Sequence, residues 1–375
     1  MITILTMTKT RIITAATTLI ILCSVSGFAQ DFVTVKENPI TSVKDQNRSG
    51  TCWDFATLGL VESEILRTSG KTYDLCEMFV ANKDYMDCAE HHVRMHGFSQ
   101  ICEGGSADDV FEVIKKYGIC PEDAMPAPGS LVGDSLANFE SFMPDLINTV
   151  KYYGTGNNHK QTADASGLTS WARTVDGWRD SVQNILDKYI GKCPDSFSYQ
   201  GKTYTPKTFA ASLGIDWNNY ISLTSFTHHP FYDNFVIETL HKWRPRPSFN
   251  LPLQKLMDIL DRAIEKGFCV AWGGDVSGDF GYLGGVAKLS EDTVVTQQLR
   301  QAQWDNWEFT YDHVMLIFGI AKGSDNQKYY MVKNSWGKDY GYDGIWYMSE
   351  DYIKLNTTYI FLCKDAVRKK DLKAD

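Results

Sequence analysis

The chain has 375 residues with 37 Lys and Arg against 46 Asp and Glu, a formal net charge of -9, and 43% hydrophobic and 22% charged residues. Single cores stop growing near roughly 250 to 300 residues, so this length suits two cores meeting at a cleft, and the ordinary composition indicates neither disorder nor a membrane bundle. The only basic cluster is a short one near the carboxyl end, which leaves no concentrated positive face for phosphate and excludes nucleic acid as a partner.

Residues 1–29 read as a targeting segment rather than part of the fold. Lys9 and Arg11 precede an apolar stretch from Ile12 to Leu22, and Gly27-Phe28-Ala29 has the small-x-small form of a signal peptidase site. A cut after Ala29 predicts an exported chain, periplasmic or extracellular, with a mature formal charge of -11. The apolar stretch is shorter than the about 20 residues of a membrane span and no later segment qualifies, so no span is expected. Lipidation at Cys23 is the rival, disfavoured because Leu22 is bulkier than the small residue such sites usually show.

Downstream, Phe55 to Leu66 and Glu77 to His96 predict helices. The stretch 127–246 is rich in Trp, Tyr, Asn and Gly, carries helical spacing from Asp176 to Ile190, and closes with Pro245-Arg246-Pro247, which cannot be helical. Leu251 to Lys266 predicts an amphipathic helix with Pro252 in its first turn. Phe268 to Trp272 and His313 to Ala321 predict strands, so the last part of the chain is mainly β and the class is α+β. The boundaries that follow are 1–29, 30–126 with a helical core, 127–246, a β-rich 247–363, and a charged tail, 364–375.

The chemistry concentrates in two places. Cys52 lies in Gln46-Asn47-Arg48-Ser49-Gly50-Thr51-Cys52-Trp53, and far downstream come Asp312-His313 and Asn334-Ser335-Trp336-Gly337. A thiol attacks a carbonyl as thiolate; an imidazole can take its proton, and a third group must orient the ring. Cys52, His313 and Asn334 are candidates for these roles, and a cysteine opening a helix would feel the positive end of its dipole, which favours the thiolate. Taken singly, each has an ordinary reading: a buried inert cysteine, a structural histidine, a turn asparagine. Their joint order with Gln46 outweighs those readings, and the set needs no metal or organic cofactor.

These residues resemble the papain-like cysteine peptidases, and the Gln-x-x-Ser-Gly-x-Cys-Trp form is similar to the bleomycin hydrolase and aminopeptidase C branch. Cys102-Glu103-Gly104-Gly105 resembles the family's substrate wall, and Val332 to Gly337 with Gly341 to Trp346 its Asn-bearing hairpin. The resemblance implies a two-domain papain-like fold, helical on the left and β-rich on the right. It further implies peptide substrates, Gly104 and Gly105 along the substrate backbone, Gln46 in an oxyanion hole, and Trp336 covering the Asn and His pair. Cys52 and His313 are 261 residues apart, against about 130 to 150 in papain-type chains, so 127–246 is expected to be a large insertion. Secreted relatives bridge the wall cysteine to a cysteine three places before the nucleophile; Ser49 stands there, so Cys102 lacks that partner. The branch also implies hexameric barrels, hence a homo-oligomer, and a C-terminal arm restricting cleavage to the amino end, for which the residues after Cys363 are the candidate.

Peptide hydrolysis through a Cys52 acyl-enzyme, in aminopeptidase mode, is the expected function. Its alternatives are a papain-like endopeptidase and a catalytically weak peptide-binding protein of the same fold. A zinc enzyme is the third choice: Cys88, His92 and His96 recur at i, i+4 and i+8 on one helix face, but no fourth ligand or catalytic Glu accompanies them. His228-His229-Pro230 reads as a loop.

Overall fold

In the computed structural model, the described residues are 31–125, 131–132, 136–154, 171–239 and 243–374. The expected signal segment, 1–29, lies outside them. Strand β1 (Phe32–Glu37) is followed by helices α1 (Cys52–Ser69), α2 (Glu77–Arg94) and α3 (Ala107–Tyr117). The segment from Leu131 onward contributes β2 (Leu131–Val132), β3 (Leu136–Ala137), α4 (Phe142–Gly154), α5 (Trp171–Tyr189), β4 (Phe197–Tyr199), β5 (Lys202–Tyr204), α6 (Pro206–Ser212), β6 (Tyr220–Thr224) and β7 (Asn234–Val236). The remainder holds β8 (Pro247–Asn250), α7 (Leu253–Glu265), β9 (Val270–Gly274), β10 (Val286–Ala287), α8 (Gln297–Asp305), β11 (His313–Gly323), β12 (Lys328–Lys333), β13 (Ile345–Ser349), α9 (Glu350–Asn356) and β14 (Thr357–Cys363).

One large sheet runs β10-β13-β12-β11-β9-β14-β6-β8-β7, and β1 pairs with β11. The long strand β11 is shared along one edge: its first half, from His313, pairs with β9, and its last residues, from Gly319, pair with β1. Both of its faces are covered, which is why the sequence shows an unbroken apolar run rather than alternation. Val314, Leu316 and Phe318 enter one core together with α1, α2 and α3, whereas Met315 and Ile317 enter a second core with α7 and α9. The mixed α+β expectation is therefore met, with two cores on opposite faces of one sheet.

The segment 127–246 goes to two places. Helices α4 and α5 pack on each other and on α2, while β6 and β7 extend the far end of the sheet. Trp243 and Arg244 then fasten the returning chain to α2: the indole N–H donates to Asp84 at 3.0 Å, and the guanidinium lies 3.3 Å from Asp84 and 3.2 Å from Asp87.

Two local expectations change. Pro252 caps α7 from outside its first turn, where its extended backbone (φ -56°, ψ 143°) positions the chain for entry. The tail does not reach a cleft: Ala366 is buried in the second core, and Asp371 is held by Arg262 of α7 and by Arg368. A buried carboxylate gripped by two guanidinium groups keeps these residues against α7.

Arg300 of α8 is fully buried and donates to the carbonyls of Ser225, Lys354, Leu355 and Thr357, tying β6 to the α9–β14 connection. Replacing it with Met would leave those carbonyls without their donor in a dry site. Arg300→Met should lower unfolding stability by about 3 to 5 kcal/mol in denaturant titration.

Candidate active site

Cys52 is the first residue of α1 and is buried, 7% exposed. The loop before it is fixed from two sides. Gly50 N–H donates to Glu103 Oε2 at 2.5 Å, and the indole of Trp53 donates to the Glu103 carbonyl at 3.0 Å. The wall and the Cys52 loop are thus hydrogen-bonded together where Ser49 leaves Cys102 without a bridge; Ser49 instead bonds Gln46 O and Thr51. Gly105 must be glycine, because a Cβ there would sit 2.8 Å from the Trp53 ring, and its carbonyl accepts from the Tyr311 hydroxyl at 2.5 Å.

His313 opens β11 opposite Gly274, where a Cβ would strike Trp272 and the Asn356 carbonyl. Its Nε2 lies 2.8 Å from Asn334 Oδ1, an oxygen that also accepts the Ser335 backbone N–H at 2.8 Å. That second bond fixes the Asn334 amide, so Nε2 of His313 must be the donor, leaving Nδ1 as the basic nitrogen of the neutral ring. The Trp336 ring stands 4.8 Å from the imidazole and stacks on Tyr282 at 5.7 Å.

Gln46 is buried and pinned at both ends of its amide: Nε2 donates to Ser49 O at 2.6 Å and Oε1 accepts from the Ser335 hydroxyl at 2.6 Å. An amide nitrogen carries two hydrogens, so one remains for another acceptor. Gln46 and Ser335 are also joined through their backbones at 2.8 Å, and Gly337 N–H donates to Lys44 O at 3.1 Å.

Gln46, Cys52, Gly104, Gly105, His313 and Trp336 all line one cleft of about 580 Å³. Asn334 sits behind His313 rather than on its surface. Sequence reasoning missed Ser335, which orients Gln46, and Met143 and Ile147 of α4, which also line the cleft. Ser335 lay inside the quoted Asn-Ser-Trp-Gly string; nothing local marks the α4 pair.

Burial governs the electrostatics. It pushes the Cys52 thiol up to about 12, against the opposing backbone N–H of Val314, and pulls His313 down to about 4, against its contact with Asn334. Burial works against the expectation that the helix terminus favours the thiolate, because desolvation of a charged sulfur opposes the partial dipole charge. It disfavours the charged form of each group taken singly.

The zinc alternative finds no support in the geometry. Helix α2 ends at Arg94, His96 has φ 54°, and His92 Nδ1 contacts Ser99 O at 2.7 Å, so the three side chains do not share a helix face. Among the described residues, the group with ligand-like proximity is His228, His229 and Glu238. There Gln301, whose Oε1 accepts from Thr227 N–H, donates Nε2–H to both Asp305 and His228 Nδ1. His228 therefore carries its proton on Nε2 and donates to Glu238, the wrong tautomer for binding a metal there.

The sequence profile of the Peptidase C1-like family matches residues 24–375. The chain belongs to the Peptidase C1-like family. It is similar to an aminopeptidase C of Lactobacillus helveticus, 23% identical with 88% of this chain and 80% of the relative covered, and to one of Lactococcus lactis subsp. lactis, 23% identical with 91% and 84% covered. An aminopeptidase G of Lactobacillus delbrueckii subsp. lactis is 22% identical over 90% of this chain and 83% of its own. The crystal structure of PepW from Lactobacillus rhamnosis HN001 superposes with a TM-score of 0.73 at 19% identity, covering 91% of this chain and 83% of that one. The protein is a papain-like cysteine peptidase with the α+β fold of that group, of the aminopeptidase C branch.

If Cys52 and His313 act as a pair, the reactive thiolate–imidazolium form carries the same protons as the neutral pair and forms by transfer from thiol to ring. Alkylation of Cys52 by iodoacetamide should rise through an inflection near 4 and stay level through neutral pH, because below it His313 is already protonated and cannot take the thiol proton. An inflection near the ordinary histidine value of about 6.5 would contradict this. His313→Ala should lose the plateau, and Asn334→Ala should lower it less.

Proposed function

We propose that this peptidase is an exported aminopeptidase in which Cys52, His313, Asn334 and Gln46 carry the reaction. The reading is carried by the fixed His313 tautomer, which leaves Nδ1 as the proton acceptor in the cleft that Cys52 lines. Nδ1 takes the Sγ proton as sulfur attacks the peptide carbonyl. The oxyanion forms against the Cys52 N–H, in the first turn of α1 where the helix itself supplies no acceptor, and the spare N–H of Gln46. His313 returns the proton to the leaving amine, giving a thioester on Cys52, and then takes a proton from the water that hydrolyses it. Trp336 shields the His313–Asn334 bond from water.

The aminopeptidase mode is supported by the names of the relatives; Met143 and Ile147 line the cleft together with Ile101 and Gly104 of the wall. With the tail docked on α7, the restriction to the amino end is assigned to the cleft itself. Digestion of a mixed peptide library read by mass spectrometry should show residues lost one at a time from free amino ends, with amino-blocked peptides spared. Deleting Val367 to Asp375 should leave that pattern unchanged, and efficient cleavage of blocked peptides would point to an endopeptidase instead.

Export rests on Lys9, Arg11, the apolar stretch and Gly27-Phe28-Ala29. A cut after Ala29 would leave β1, from Phe32, intact. N-terminal sequencing of the native protein should read from Gln30, whereas a lipid-modified Cys23 would overturn the assignment. Assembly into a homo-oligomer belongs to the same proposal.

A further inference from the structure

The cleft has an anionic lining that the hydrolytic chemistry does not use. Glu103 lies in the wall, one residue before Gly104, and its side chain crosses the backbone of Gly50 so closely that a Cβ on that glycine would stand 2.6 Å from Glu103 Cβ. One carboxylate oxygen, Oε2, is held by the Gly50 N–H. Among the described residues its second oxygen, Oε1, has no hydrogen-bond or ion-pair partner and is not a buried orphan, and Glu103 itself lines the cleft. The other carboxylate lining the cleft, Asp312, likewise has one oxygen held, its Oδ1 accepting the Val276 N–H at 3.0 Å, but Glu103 is the one tied to the Cys52 loop. No lysine or arginine lines the cleft among the described residues, and burial disfavours a charge on His313.

A carboxylate half removed from water beside a cation-free cleft is an uncompensated charge. Burial raises the pKa of Glu103 against the Gly50 hydrogen bond, as expected for an acid whose counter-ion is missing. An arriving ammonium or guanidinium would supply that counter-ion. Because Gly50 and Trp53 tie Glu103 to the Cys52 loop, a cation held at Oε1 would be placed at a set distance from the thiol. We infer that Glu103 is the specificity anchor for a cationic group on the substrate, either the free α-ammonium or a basic side chain of the residue whose carbonyl Cys52 attacks. This rests on the peptidase reading of Cys52 and adds to it the charge of the substrate.

Glu103 also braces the Gly50 loop, so the test must separate the two tasks. In Glu103→Gln the amide oxygen can still accept from Gly50 N–H while the charge is lost. The full chain carrying Cys52→Ala, with and without Glu103→Gln, is titrated calorimetrically with Ala-Ala-Ala, acetyl-Ala-Ala-Ala and acetyl-Arg-Ala-Ala. At least one cationic peptide should bind about tenfold more tightly than the neutral acetylated one, and Glu103→Gln should remove that difference while leaving the neutral peptide within about twofold. Tighter binding of Ala-Ala-Ala supports both the anchor and the aminopeptidase mode. A preference confined to acetyl-Arg-Ala-Ala keeps Glu103 as the anchor and overturns that mode. Equal binding of all three peptides, a preference that survives Glu103→Gln, or an equal loss for all three would overturn the inference, the last showing Glu103 to be only a brace.

Discussion

The packing of helix α1 against strand β11 is the constraint on which the rest of the molecule depends. Cys52 begins the helix and His313 begins the strand, so their approach is decided by how two long, buried elements meet, not by any contact between the residues themselves. Gly59 marks the close passage. A Cβ there would lie 3.3 Å from the Lys333 ammonium and 3.5 Å from Leu316, a tight fit in which the end of the Lys333 side chain would have to shift. Lys333 in turn donates to the Thr41 carbonyl and hydroxyl and to the Ser42 carbonyl, and the next residue is Asn334. Helix, strand end and the chain entering the Gln46 loop are positioned by one buried amine.

A second set of bonds crosses between the halves. Gln46 and Ser335 are joined through backbone and side chain, and Tyr311 and Tyr359 of the β side bond Gly105 O and Ala107 N–H of the helical side. Each is a neutral hydrogen bond worth roughly 0.5 to 1.5 kcal/mol, too little to explain stability alone. Their value is geometric, since they fix the amide of Gln46 and the wall relative to the His313–Asn334 pair without placing a charge beside the thiol.

Away from the cleft, buried charge is paired. Glu62 and Glu77, both buried, share Lys44 at 3.3 and 2.7 Å, and Glu62 also accepts from Thr41 and from Leu75 N–H. Arg244 does the same for Asp84 and Asp87 across the joint between the returning chain and α2. Such buried pairs contribute little net stability but are costly to break, so they hold the register of the segments they join. The cleft, by contrast, is lined by Glu103 and Asp312, each with one oxygen held by a backbone N–H, and by a thiol and an imidazole whose charged forms burial disfavours.

The sequence by itself determined the chemistry and the class. Cys52, His313, Asn334 and Gln46 were legible because the reaction demands particular functional groups in a particular order, and β11 was legible because a strand covered on both faces must be apolar throughout. The end of α2 was misplaced by two residues, since spacing assumes that a helix continues, and this one ends at Arg94 before His96, which takes His96 off the face that the disfavoured zinc reading needed. Only the tertiary structure decided where the tail goes, because Arg262 and Asp371 are distant in sequence and their pairing leaves no local pattern. It alone decided the burial of the thiol and the ring as well. A helix terminus can be read from sequence and argues for a thiolate, but desolvation depends on every atom packed around Cys52 and His313, and here it opposes that charge.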